Sequence, residues 1–138
     1  MQDWGEPAFR ARQIWTGIHK NLKQIPEEIT TLPGALKERL DENFQFKTLK
    51  LLKELHSRDR STTKALFELH DGKAIETVLM LYHTRRTVCV STQVGCALDC
   101  AFCATGQMGF QRHLSRGEIA AQVYTCERQL ASSGEHVT

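Results

Sequence analysis

The sequence predicts an α/β fold, and three observations carry that expectation. Apolar residues near the N-terminus recur at helical spacing, two β-prone runs are joined through an Asp-Gly turn, and a strand, a cysteine-rich loop and a helix follow in succession. In a chain of 138 residues this implies a small N-terminal helical domain over residues 1–45, connecting β-strands and a hairpin over residues 46–86, and a β/α unit over residues 87–138. With 41% hydrophobic and 25% charged residues, the composition is that of an ordinary globular protein and excludes disordered and collagen-like classes.

The first helix begins at Pro7. Ala8, Ala11, Trp15, Ile18 and Leu22 recur at steps of three and four, so they define one face of a first helix with Trp15 in the core. Arg10, Arg12, Lys20 and Lys23 fall between them and read as a solvated face in preference to an RNA-binding one. The segment 25–29 suits a short helical turn. Thr31 and Pro33 then mark a new start, with Leu36, Leu40 and Phe44 aligned at steps of four.

Residues 46–55 fit either period, and periodicity alone leaves helix and strand both open. The polar run 57–63 is a loop whose Arg58 and Arg60 are read as solvated, with phosphate contact the alternative. Residues 65–69 and 75–81 are strands, and His70-Asp71-Gly72-Lys73 supplies the hairpin turn. A loop containing Arg85 and Arg86 precedes the strand 87–91. Farther on, Ser115 is placed as an N-cap with Glu118 completing a capping box, and a helix runs to Leu130 with Ile119, Val123 and Cys126 on its buried side.

Between that strand and that helix lie Cys96, Cys100 and Cys103, three thiols within eight residues. Spacing of C-x3-C-x2-C can wrap one side of an iron–sulfur cube and leave one iron open, unlike four-cysteine electron carriers. An open iron can hold the amino and carboxylate groups of S-adenosylmethionine, which is the basis of radical-SAM chemistry. Zinc is the second reading, with His113 or Cys89 as fourth ligand, but zinc sites usually show a second cysteine pair that this chain lacks. Five cysteines, an odd number and mostly clustered, argue for metal or redox chemistry over a disulfide framework. The net charge of +2 says little about a nucleic-acid partner. No apolar run approaches the ~20 residues that cross a bilayer, and the first four residues lack a signal-peptide pattern, so a cytoplasmic protein without membrane contact is expected.

The residues 89–112, Cys-Val-Ser-Thr-Gln-Val-Gly-Cys-Ala-Leu-Asp-Cys-Ala-Phe-Cys-Ala-Thr-Gly-Gln-Met-Gly-Phe-Gln-Arg, closely resemble the RlmN/Cfr family of radical-SAM RNA methyltransferases, and RlmN more than Cfr. The resemblance extends from about Gly5 to Leu130 and implies an N-terminal fragment: an accessory helical domain, a strand within residues 46–55, and the opening β/α unit of a radical-SAM partial barrel. It implies Cys96, Cys100 and Cys103 as ligands of a 4Fe-4S cluster, with S-adenosyl-L-methionine as cosubstrate. It implies Cys89 as a resolving thiol that forms a transient disulfide with a methyl-carrying cysteine absent from these residues, and Glu76 as proton acceptor, a role suited to a carboxylate whose pKa partial burial raises. Carbon 2 of adenine in 23S rRNA and tRNA would be the methyl acceptor, an electron donor such as flavodoxin a partner, and the monomer the working state. By the same resemblance this chain alone is expected to be inactive. A zinc or electron-carrier module and an RNA-binding fragment are the other two functional readings.

Overall fold

The computed structural model describes residues 1–138, apart from the Gln2 side chain. The chain divides into two compact units, Met1–Lys47 and Thr48–Thr138.

In the first unit, α1 covers Ala8–Trp15 and passes directly into a π-helical turn over Thr16–Lys20. Two 3₁₀ turns, at Gln2–Trp4 and Pro26–Glu28, and α2 over Gly34–Asn43 complete it. The core is Ile29, Leu32, Leu36 and Leu40, against which Ile14 and Ile18 pack. Ile18 thus faces inward as expected, while one turn earlier the inward position differs from the expected one. Trp15, expected in the core, is 52% exposed with its ring beside His19, and Ile14 takes the inward place. The cause is Gly17: a Cβ there would lie 2.8 Å from Ile29 Cδ1, so this turn approaches its neighbour by backbone and fixes which residues face inward. Phe44, expected to extend the buried face of α2, caps the helix and is exposed.

The second unit is an antiparallel sheet in the order β1 (Lys50–His56), β2 (Thr62–Glu68), β3 (Ala74–Leu81), β4 (Arg86–Cys89). The hairpin expected at Asp71-Gly72 joins β2 to β3, with Gly72 at φ 76° as such a turn requires. Alternation is clearest on β3, where Ile75, Thr77 and Leu79 are buried while Glu76 is exposed. The buried face carries two apolar clusters. Phe67, Leu69, Ile75, Val94 and Leu114 form one, and Leu79, Cys126 and Leu130 the other. On β1 a bulge between Leu51 and Lys53 breaks the alternation, and Leu51 and Leu55 are about half exposed on this edge strand.

Beyond β4, a two-residue ribbon of β5 (Gln93–Val94) and β6 (Arg112–His113) closes around the cysteine loop, which contains the single turn α3 (Ala104–Gln107). The helix α4 follows over Arg116–Ala131, with the expected capping box in place: Ser115 Oγ accepts from Glu118 N, and the Glu118 carboxylate accepts from Ser115 N. The mixed α/β class holds, with antiparallel pairing throughout.

Candidate cluster loop and its neighbouring strands

Residues 96–103 leave and re-enter the ribbon through two close backbone approaches. Cys96 N donates to Gly109 O at 3.3 Å, and a Cβ on Gly95, itself at φ 72°, would stand 1.7 Å from that same oxygen. Gly106 is buried against the loop, where a Cβ would lie 2.8 Å from Cys100 N. Glycine is needed at both points because only a bare backbone lets the two sides of the loop touch. Within the loop, Cys103 N donates to Cys100 O at 3.0 Å, Gln107 Nε2 donates to Ala101 O at 2.7 Å, and Asp99 holds a left-handed φ of 46°.

Cys96, Cys100 and Cys103 are free thiols of intermediate exposure, all carried by this loop. Backbone N–H groups of Gly106 and Thr105 at the start of α3 aim at the Cys103 sulfur and hold its thiol below the ordinary range. Among the described residues no three His, Cys, Asp or Glu side chains gather around a point where one metal ion would sit. An iron–sulfur cube makes a different demand, since each thiolate meets its own corner iron. The donor set fits that demand: three thiols outside any disulfide, on one loop shaped by close glycine contacts. Around them Leu98, Phe102 and Met108 are exposed, Phe102 at 93%.

Glu76 and Cys89 come together on one face of the sheet. Val78 on β3 pairs with Cys89 on β4, and Glu76 lies two residues before Val78, so all three side chains project to the same side. Ser91 Oγ donates to Glu76 O at 2.7 Å, fastening the chain beyond Cys89 alongside β3. Cys89 is exposed and free. Glu76 is not in the partly buried setting expected for it: its side chain is 51% exposed and 3.0 Å from Lys64 Nζ. Strand alternation accounts for this, because the buried positions of β3 belong to the opposite face. Cys126 is buried as expected, and burial, with Glu54 nearby, pushes its thiol up to about 11.

In the loop before β4, Arg86 is committed to the fold, its guanidinium meeting the Glu135 carboxylate and donating to Tyr82 O. Arg85 lies over the Tyr82 ring at 4.6 Å.

Two buried polar residues escape a reading of the sequence by apolar periodicity. Glu118, Gln122, Cys126 and Leu130 form the inward stripe of α4, and the first two are polar. Their spacing of four with Cys126 and Leu130 is the one signal that marks them. Gln122, fully buried, accepts from Thr77 Oγ1 and Ser91 N at 2.8 Å and donates to Ser91 O at 2.9 Å. Glu118 takes both terminal nitrogens of Arg112.

The solved structure of a radical SAM methyltransferase from Sphaerobacter thermophilus superposes on 99% of this chain with a TM-score of 0.95 at 42% identity. The probable dual-specificity RNA methyltransferase RlmN of Chloroflexus aurantiacus is 49% identical over 134 residues, 97% of this chain. The chain belongs to the RlmN family. The corresponding protein of Dictyoglomus thermophilum is 41% identical across the whole chain. No protein-family model matches. The chain spans 35% and 39% of the lengths of these two RlmN relatives and 40% of the solved structure, an N-terminal portion in each case. No helix of the described residues is long and apolar enough to cross a membrane.

Proposed function

We propose that this chain is the cluster-bearing portion of an RlmN-type adenine C2-methyltransferase acting on 23S rRNA and tRNA. The observation that carries this reading is the loop of three free thiols at Cys96, Cys100 and Cys103, present in a chain 49% identical to an RlmN relative. Those thiols would hold a 4Fe-4S cluster, which when bound supplies the electron that splits S-adenosylmethionine into an adenosyl radical.

The chain's own residues divide the remaining work. The Cys89 thiolate attacks the sulfur of a carrier cysteine joined to the RNA methylene. An S–S bond forms as the C–S bond breaks, and the electron pair left on carbon is protonated. Glu76 accepts a proton from the adduct beforehand, from the same sheet face as Cys89, with its carboxylate 3.0 Å from Lys64 Nζ. The carrier has no counterpart in residues 1–138: Cys126 is buried on α4 with its thiol pushed up to about 11. Residues 1–138 alone therefore transfer no methyl group to RNA. The helical unit Met1–Lys47 serves as an accessory domain, and the strand, loop and α4 open a partial barrel. A cytoplasmic monomer reduced by a flavodoxin-type donor completes the reading.

The test joins this chain to the downstream portion of an RlmN relative. The chimera should methylate adenine, and with Cys89→Ala it should accumulate a covalent protein–RNA adduct. Methylated adenine from residues 1–138 alone, or an undiminished yield of free product with Cys89→Ala, contradicts the proposal.

A further inference from the structure

One helix face holds both ends of the cysteine loop. On the incoming side, the Gln122 amide brackets Ser91, accepting from its N–H at 2.8 Å and donating to its C=O at 2.9 Å, as a neighbouring strand would. This happens where β4 has ended at Cys89, so the side chain replaces the lost ladder partner. The same amide accepts from Thr77 Oγ1 at 2.8 Å and donates to Glu118 O at 3.2 Å, so both its polar atoms are satisfied with no exposure to solvent. On the outgoing side, one turn earlier on α4, Glu118 takes Arg112 of β6 through two bonds of 2.9 and 2.8 Å and accepts from Ser115 N at 2.7 Å. Arg112 also donates from Nε to Asp71 Oδ2 at 2.8 Å, tying the ribbon to the β2–β3 hairpin.

We infer that Glu118 and Gln122 are positioning residues that set the conformation of the loop carrying Cys96, Cys100 and Cys103, by clamping its two ends onto α4. Their role toward the thiolates rests on the cluster reading above. The physical case is one of alternatives. Apolar residues at both positions would serve a core, whereas buried polar groups must each find partners, and these find them on the two chain segments that flank the loop. Such bonds are directional, so they fix the position of the segments more narrowly than packing does.

The decisive comparison sets Gln122→Met and Glu118→Leu, which keep side-chain bulk without the bonds, beside Leu130→Ala, a core truncation on the same stripe three turns from Glu118. Amide exchange in the full chain reads the clamp without any cluster. Exchange at Cys96, Gln111 and Leu114, whose N–H groups donate to Gly109, Val94 and Thr92, should rise about tenfold or more in the first two variants. In Leu130→Ala the rise at these amides should be no larger than that seen across the rest of the sheet. After anaerobic reconstitution, the reduced clamp variants should show shifted g-values beside an unshifted Leu130→Ala, and Glu118→Gln, which retains an acceptor for Arg112, should lie closer to the parent. Unchanged exchange at the three amides, or an equal effect from Leu130→Ala, overturns the clamp whatever the iron content. A parent chain that takes up no iron or sulfide overturns the cluster role, and with it the thiolate-positioning role.

Discussion

Arg112 meets Glu118 side by side, Nη1 to Oε2 at 2.9 Å and Nη2 to Oε1 at 2.8 Å, in a site where the carboxylate is almost fully buried. The guanidinium is the main cause that holds the Glu118 carboxyl at about 2 instead of 4.5, and the Ser115 backbone N–H adds to it against the opposing cost of burial. A carboxyl whose pKa is lower in the folded chain stabilises the fold above its unfolded value and loses that contribution as protons bind the folded form. Through Glu118, stability should therefore fall by about 3 kcal/mol from about pH 4.5 toward pH 2, and Asp71 on the same guanidinium, held at about 2 instead of 3.8, adds to the fall in the lower part of that window. Denaturant unfolding at a series of pH values checks this. Glu118→Gln should flatten that part of the profile, and an unaltered slope would contradict the assignment.

The loop depends on Gly95 sterically. Gly95→Ala places a methyl 1.7 Å from Gly109 O at a left-handed φ, so the two sides of the loop must separate, at a cost of about 3 kcal/mol or more. Gly72→Ala, also at positive φ but with open space around it, should cost about 1–2 kcal/mol. Urea midpoints measure both, and equal losses would show that the close approach at Gly95 does not exist in solution.

Glu76 and Lys64 form an ion pair in which each side chain is about half exposed, so Glu76→Gln should change stability by no more than about 0.5 kcal/mol. A carboxylate that the fold does not need is free to serve chemistry. A loss above about 1.5 kcal/mol would instead make it structural.

Thiol chemistry should separate Cys126 from Cys89. With iodoacetamide at pH 8 the exposed Cys89 should react in the native chain, while Cys126, buried and with its thiol pushed up to about 11, should wait for unfolding. Mass spectrometry of the labelled peptides reads the order directly, and native labelling of Cys126 at a comparable rate would refute its burial.

Elements governed by local rules were legible in the sequence. The hairpin at Asp71-Gly72 and the capping box of Ser115 and Glu118 follow from turn and cap chemistry within four residues. The exposure of Trp15 and the sheet face of Glu76 are not legible in the sequence, because distant contacts set them: the close approach of Gly17 to Ile29 for one, the choice of buried sheet face for the other. The cysteines announced themselves by spacing, whereas Gln122, and the part Glu118 plays beyond its cap, did not. Periodicity looks for apolar residues on an inward stripe, and these two are inward because backbone groups of the loop's flanking segments need partners.

The central claim is that Cys96, Cys100 and Cys103 hold an iron–sulfur cluster, and anaerobic reconstitution followed by iron and sulfide analysis tests it most directly. About four irons and four sulfides per chain are expected, with Cys100→Ala abolishing stable uptake and Cys126→Ala leaving it intact. Stoichiometric zinc with no iron or sulfide, or uptake indifferent to Cys100→Ala, would contradict the account.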